Sequence, residues 1–315
     1  MSKRRLLKLV TDNWVNGWDD PRLPTLNGFR RRGYPASAIK LFCDTIGISR
    51  NENFISLALL EFCCRTALEP LATRAMVVMN PVKVVLTNYP DGKTETLQAP
   101  NMPKDESKGS HDILFSRVIY LDGSDVSAED RGKDFFGLAP GKEVHLKYAY
   151  NIRADKFVMN PDGSIKHIEA TVDLSNKSKP PGKITWVASP SPATDGKPLE
   201  VELRLYDILF KSADPMGLGS DEWLKDLNPD SLKVVKAYAD PSLKGAKPGQ
   251  CLSRSLRGLS LCSFFVCDPL PLSFYSLLSF SPLCFLFSTR IPAFAPLAYS
   301  KRCSAPLPPA SSVGV

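Results

Sequence analysis

Apolar residues recur at helical spacing through the first 70 residues, then switch to a period of two. Leu6, Leu7, Leu9, Val10 and Trp14 form a stripe that predicts a helix over residues 2–16, with Ser2 as cap and Gly17 as stop. A dense connector follows, Gly17-Trp18-Asp19-Asp20-Pro21-Arg22-Leu23-Pro24-Thr25, whose two prolines forbid a regular helix. Pro35 sits well at the start of a second helix, with Ile39, Phe42, Cys43 and Ile46 on one face and Gly47 at its end. A third helix is expected from about residue 53 to residue 68, before Pro70.

From Ala75 the runs become β-branched. Val82-Lys83-Val84-Val85-Leu86 reads as a strand, and Pro90-Asp91-Gly92 and Asn160-Pro161-Asp162-Gly163 read as turns. Between Val144 and Arg153 alternation predicts one strand: Val144, Leu146, Tyr148, Tyr150 and Ile152 on one face, His145, Lys147, Ala149, Asn151 and Arg153 on the other. Strands are also expected at 165–174, 183–187 and 199–205. The fold class implied is α+β, a small helical head followed by an all-β region large enough for two barrels.

Composition divides the chain again. The protein has 315 residues, with 40 Lys and Arg, 33 Asp and Glu, and a net charge of +7. Hydrophobic and charged contents of 43% and 23% exclude a collagen, a coiled-coil rod and a wholly disordered chain. The last 65 residues keep only six charges, Arg254, Arg257, Asp268, Arg290, Lys301 and Arg302, so residues 1–250 carry +3. That net charge names no partner. Two basic clusters, Ser2-Lys3-Arg4-Arg5 and Arg30-Arg31-Arg32, can neutralise phosphates or serve as solvated helix ends.

Few residues point to catalysis. The three histidines, His111, His145 and His167, have no metal-ligand spacing, and no metal site is expected. Cys43, Cys63 and Cys64 form no CxxC pair, and Cys43 and Cys63 are expected to pack in the core. Neither a glycine-rich phosphate loop nor a Gly-x-Ser-x-Gly elbow occurs. His145 reads as a surface residue that could also stack on or hydrogen-bond a base.

Three ordered blocks carry a resemblance. Met1-Ser2-Lys3-Arg4, then Gly17 to Leu26 with its Trp-Asp-Asp-Pro-Arg core, then Arg30-Arg31-Arg32-Gly33-Tyr34, resemble glutaminyl-tRNA synthetase of class I. The resemblance continues through Arg74-Ala75-Met76, Asn80-Pro81-Val82-Lys83, Gly141-Lys142-Glu143-Val144, Ile184-Thr185-Trp186-Val187, residues 203–210 and residues 240–244. Glutamyl-tRNA synthetases share the Trp-Asp-Asp-Pro-Arg block and rank second.

The resemblance implies ATP-dependent attachment of glutamine to its tRNA through a glutaminyl-adenylate. ATP with Mg2+ enters as a substrate, and no tightly bound cofactor is implied. Met1, Ser2, Lys3 and Arg4 match the family's ATP loop, where the Lys3 ammonium would stabilise charge as pyrophosphate leaves. No His-x-Gly-His motif occurs in the chain, so this polypeptide alone is expected not to form the adenylate. Arg74 matches an anticodon-contacting arginine. His145 and Lys147 stand where bacterial members carry arginines, which puts base contacts there in doubt. For Arg30, Arg31 and Arg32 the implied role is contact with the tRNA backbone. The implied partners are glutamine tRNA, glutamine and ATP, in the cytoplasm, without a membrane. These motifs leave open a multi-synthetase assembly as a further partner. A non-catalytic tRNA-binding module is the alternative.

The implied organisation is residues 1–72 for the end of the catalytic core and the stem-contact helices, 73–112 with 196–250 for an incomplete proximal barrel, and 113–195 for a distal barrel. Residues 251–315 lie outside the resemblance. Leu, Ser, Phe and Pro dominate this tail, and residues 269–289 carry no charge, long enough to prompt a transmembrane reading. Pro269, Pro271 and Pro282 argue against a spanning helix. The tail is expected to be unstructured and to derive from normally non-coding sequence, leaving the proximal barrel with an open edge.

Overall fold

The computed structural model describes residues 2–50, 54–132, 134–189, 198–215, 217–219, 222–246, 251–255, 261–267 and 273–276. Four helices open the chain: α1 (Lys3–Thr11), α2 (Leu26–Arg32), α3 (Ala36–Ile46) and α4 (Leu57–Leu68). α1 stops short of residue 16. Thr11 Oγ1 donates back to the Leu7 carbonyl at 3.0 Å, and Asn13 turns left-handed at φ 57°. Ser2 holds the N-cap position, but its side chain makes no capping bond. The short α2 follows the connector, in a stretch for which the sequence pattern predicts no helix. Thr25 Oγ1 caps it by accepting from Gly28 N at 2.9 Å, and Gly33 at φ 91° ends it.

α2, α3 and α4 share a core of Tyr34, Ala38, Leu60 and Cys64, with Phe29 and Phe42 packed against it. Phe42 packs inward as expected, but Cys43 and Ile46 are exposed, because the buried face of α3 runs through Ala38 and Phe42. Cys63 and Cys64 are buried, and burial pushes the Cys64 thiol up to about 12, which suits packing and not nucleophilic work. α1 belongs to a different core. Leu9 packs with Val15, Leu23, Leu209, Phe210 and Trp223, so the start of the chain rests on a segment some 200 residues away.

The rest is β-structure. One sheet has the order β1 (Thr73–Ala75), β14 (Cys251–Ser255), β15 (Leu261–Cys267), β16 (Ser273–Ser276), β12 (Leu199–Tyr206), β13 (Leu232–Ala239), β2 (Val77–Met79). The other has the order β10 (Lys183–Ile184), β7 (Glu143–Leu146), β8 (Asn151–Met159), β9 (Ile165–Asp173), β3 (Pro81–Leu86), β6 (Val118–Asp122), β11 (Trp186–Ala188). In each sheet the two end strands are neighbours in the chain, separated by one residue: Met76 in the first, Thr185 in the second. A sheet whose ends are joined by one residue must curl round, and both form nearly closed barrels. Met76 and Thr185 are both buried, 3% exposed, at these seams.

β3 hydrogen-bonds to β6 and β9 in the second barrel, so the strand division falls at Asn80, nearer the start than residue 112. A hairpin of β4 (Thr94–Pro100) and β5 (Ser110–Ser116) sends Ile113 and Phe115 into the second barrel's core. There Phe115 meets Tyr89, Tyr150 and Trp186 edge-on, at centroid distances of 5.2, 5.1 and 5.3 Å. Asp122 Oδ2 accepts from Met79 N at 3.2 Å and ties β6 to the first barrel.

The tail departs from its expected disorder over part of its length. β14 runs parallel to β1, β16 runs parallel to β12, and β15 joins them, so the expected gap is filled. Unpaired N–H and C=O groups on β1 and β12 are a template for added strands, and Leu261-Cys262-Ser263-Phe264-Phe265-Val266-Cys267 has a β-prone composition. Residues 277–315, and with them most of the uncharged stretch, lie outside the described residues. Among the described residues no helix is long and apolar enough to cross a membrane.

Candidate nucleic-acid interface

Between Val144 and Arg153 the chain folds back where alternation predicts one strand. Ala149 N bonds to the Leu146 carbonyl at 3.0 Å, Leu146 N bonds to the Tyr150 carbonyl at 2.9 Å, and Tyr148 is left-handed at φ 62°. β7 and β8 therefore pair as a hairpin, with His145 opposite Asn151. No Gly, Asn or Asp marks the turn Lys147-Tyr148-Ala149-Tyr150, so its sequence carries no turn signal. Trp186 Nε1, inside the barrel, donates to the Lys147 carbonyl at 2.9 Å and fixes the turn from below. Val144 and Leu146 point inward, while Glu143, His145 and Lys147 lie on the outer face, each half-buried.

Tyr148 couples this turn electrostatically to Arg74. Burial draws the Arg74 guanidinium below its ordinary value, opposed by the charge of Glu69 and the phenol of Tyr148. Burial raises Tyr148, and Arg74 opposes that shift. The charge of an arginine in the first barrel is thus felt by a phenol of the second, and the reverse. Glu69, the C-cap of α4, completes the group and is itself bonded to Lys104 Nζ at 2.5 Å. Arg74 N donates to the Asn101 carbonyl at 2.8 Å, which sets where the side chain starts.

Beside the hairpin lies a cavity of about 340 Å³ lined by Phe135, Phe136, Lys142, Glu143, Pro181 and Gly182 among others. Lys142 is held on its rim by Asp130 at 2.8 Å and by the Gly132 carbonyl at 2.5 Å. His145 adjoins this cavity: its backbone N–H donates to the Gly182 carbonyl at 2.7 Å, and it stands two residues from Glu143 on the same face. Two aromatic side chains wall the cavity, and its lining sets the one lysine against two carboxylates, Asp130 and Glu143, so what it offers a nucleobase is a stacking surface and not a phosphate site.

Three family models account for most of the chain. The class I (E and Q) tRNA synthetase catalytic domain matches residues 1–70, and two anticodon-binding domain models of the same group match residues 72–173 and 183–252. The chain belongs to the class I glutamyl- and glutaminyl-tRNA synthetases. Relatives at 41–49% identity are glutamine–tRNA ligases. A probable glutamine–tRNA ligase of Dictyostelium discoideum is 49% identical over 249 residues, covering 78% of this chain and 31% of that protein. Glutamine–tRNA ligases of Salmonella newport and Salmonella heidelberg are each 41% identical over 265 residues, covering 82% of this chain and 46% of theirs. The chain thus spans 31% to 46% of the length of these synthetases.

The two arginine sites and the hairpin of this synthetase chain all fall within matched regions. In the catalytic-domain match, Met1 lies outside the described residues, and Ser2, Lys3 and Arg4 are exposed at the start of α1. No acidic residue stands in the first turn of α1, so residues 2–4 offer a triphosphate cations and a hydroxyl but give Mg2+ no carboxylate. Among the described residues no cluster of His, Cys, Asp or Glu could hold a metal ion.

The structure divides the arginine triplet. Arg30 is exposed, and Arg31 reaches Asp19 at 3.0 Å. Arg32 is 4% exposed, lies over the Tyr34 ring at 5.5 Å, faces Glu61 at 3.7 Å and donates to the Tyr206 carbonyl at 3.4 Å. Its guanidinium links the helical head to β12 inside the protein, so Arg32 is unavailable to a phosphate backbone. Sequence reasoning missed Tyr148 and Asn151 because alternation assigned them to strand faces. It missed the Phe135-Phe136 wall because aromatic pairs are common in cores.

Proposed function

We propose that this chain supplies tRNA recognition to a glutamine–tRNA ligase, and that Arg74, His145 and Lys147 form its anticodon-reading surface in the cytoplasm. The observation that carries the reading is the β7–β8 hairpin, which presents His145 and Lys147 together on the outer face of the second barrel, its turn residue Tyr148 electrostatically coupled to Arg74 of the first. An arginine fork beside an aromatic face can hold a splayed base by its edge and its plane together. Arg30 and Arg31 would contact the tRNA backbone, and phosphate contacts of that kind position the RNA without specifying it.

In the whole enzyme the activity is ATP-dependent joining of glutamine to its tRNA through the adenylate. Lys3 would lie beside the triphosphate and stabilise departing pyrophosphate. As a polypeptide of these 315 residues, without a His-x-Gly-His motif, the chain binds tRNA but does not charge it. The test is binding of the purified chain to glutamine tRNA and to unrelated tRNAs at several salt concentrations. Arg74→Ala is expected to cost about 1–3 kcal/mol with the cognate tRNA only. Equal affinity for all tRNAs would refute anticodon reading. Glutamine-dependent pyrophosphate exchange by the chain would refute its inactivity.

A further inference from the structure

We infer that His145 reads a hydrogen-bond donor on an RNA base, through an imidazole nitrogen whose acceptor state is set by the buried Asn151. The inference rests on the tRNA-binding role proposed above. It follows from three hydrogen bonds. Asn151 is 0% exposed, and its Nδ2 lies 2.9 Å from the Ser178 carbonyl and 3.0 Å from Ser178 Oγ. A carbonyl can only accept, so the amide nitrogen of Asn151 is fixed on that side. Asn151 Oδ1 then faces His145 Nδ1 at 2.8 Å. An amide oxygen can only accept, so the proton of the neutral ring sits on Nδ1. The opposite nitrogen, Nε2, is left as an acceptor.

The backbone that carries this amide is held as well. Asn151 N donates to Asn176 Oδ1 at 2.9 Å, and Asn176 Nδ2 donates to the Ala149 carbonyl at 3.1 Å. Turning the Asn151 amide over would set its NH2 group against His145 and its oxygen against the Ser178 carbonyl, losing two bonds in a buried place. Asn151 is therefore a positioning residue. His145 itself is half-buried on the outer face of β7 and adjoins the aromatic-walled cavity through Gly182 and Glu143. Lys147, its neighbour on that face, can only donate. The pair thus offers one acceptor and one donor, and the chemistry that matches the acceptor is an exocyclic amino group of a base.

Two measurements on the full chain test this. In the free protein, 15N shifts of the His145 ring should report the Nδ1-protonated form, and Asn151→Leu should release the ring to a mixture. Finding the Nε2-protonated form in the unsubstituted protein would overturn the assignment. The second measurement uses anticodon stem-loops of glutamine tRNA in which one base at a time lacks its exocyclic amine, such as inosine for guanosine. One replacement should weaken binding about tenfold. His145→Phe, which keeps a ring but no acceptor, should abolish that difference while melting normally. If the chain distinguishes anticodons through Arg74 but ignores every amine, this inference fails and the anticodon reading stands. If it distinguishes no stem-loop, both fail.

Discussion

Arg22 Nη2 lies 2.8 Å from Asp20 Oδ2, an ion pair between residues two apart in the connector after α1. The same carboxylate accepts from Asn16 N and from Arg22 N, each at 2.9 Å. Arg22 also donates to Ser231 Oγ at 3.2 Å and to the Trp14 carbonyl at 3.3 Å. This one pair closes the connector and bolts it to the lead-in of β13. Asp20 is 1% exposed, so removing Arg22 strands a buried charge. Arg22→Ala should cost about 3–5 kcal/mol in chemical denaturation. Burial pushes the Asp20 carboxyl up, but the Arg22 side-chain bond and the two backbone N–H bonds outweigh it, and its pKa lies below the ordinary carboxylate value. Its contribution should be present above the unfolded-state pKa and be lost as pH falls through the lower folded value, so the R22A variant should show a shallower acid limb.

Gly28 tests the same closure by shape. A Cβ there would meet the Asp20 carbonyl oxygen at 2.6 Å and the Leu23 carbonyl oxygen at 2.7 Å. Both are backbone atoms of the connector and cannot rotate away. Gly28→Ala normally favours a helix by about 1 kcal/mol. Here it should destabilise by about 1–3 kcal/mol, as overpacking does, and lower the melting temperature.

Asp240 gives the opposite pH dependence. It is 3% exposed, its N–H bonds to the Met76 carbonyl at 3.0 Å, and its Oδ1 accepts from Ser242 N at 2.8 Å. Burial raises its pKa above the ordinary value, although the Ser242 bonds and nearby His111 oppose this. The folded state therefore holds the proton more tightly than the unfolded chain, and stability is lost as pH rises through the folded value. Asp240→Asn keeps an oxygen for Ser242. It should raise the urea midpoint at pH 7 relative to the unsubstituted protein and change it little under acid conditions.

The change from period 3.6 to period 2 was enough to separate helical head from barrels, because core-facing residues dominate both patterns. The Asn160-Pro161-Asp162-Gly163 turn was equally legible, since Gly163 takes φ 80° there. The β7–β8 turn was not. Tyr148 pays for a left-handed backbone without being Gly or Asn, held there by Trp186 from a strand 38 residues on. Arg32 shows the same limit: a triplet of like charges looks solvated until Glu61 and the Tyr206 carbonyl are known to stand behind one member. Arg74 stands in a recognisable block, but its electrostatic coupling to Tyr148 joins residues of two different barrels, a long-range property that no local pattern reports.

The tail offers the sharpest contrast between composition and pairing. A segment foreign to the fold should be removable without loss. The structure instead seats Leu252 at 2% exposure in a core with Val77, Val201 and Leu203, and pairs β14 with β1 from Thr73–Leu252 to Ala75–Arg254. Truncation after residue 250 would unpair β1 on one side and β12 on the other, creating two bare edges at once. The shortened chain should melt lower than the full chain and self-associate by light scattering. Because truncation could act through loss of solubility alone, Leu252→Ala separates the causes. It leaves the length unchanged and should cost about 2–5 kcal/mol if β14 is seated as described. A melt identical to that of the full chain would show that residues from 251 onward add nothing to the barrel.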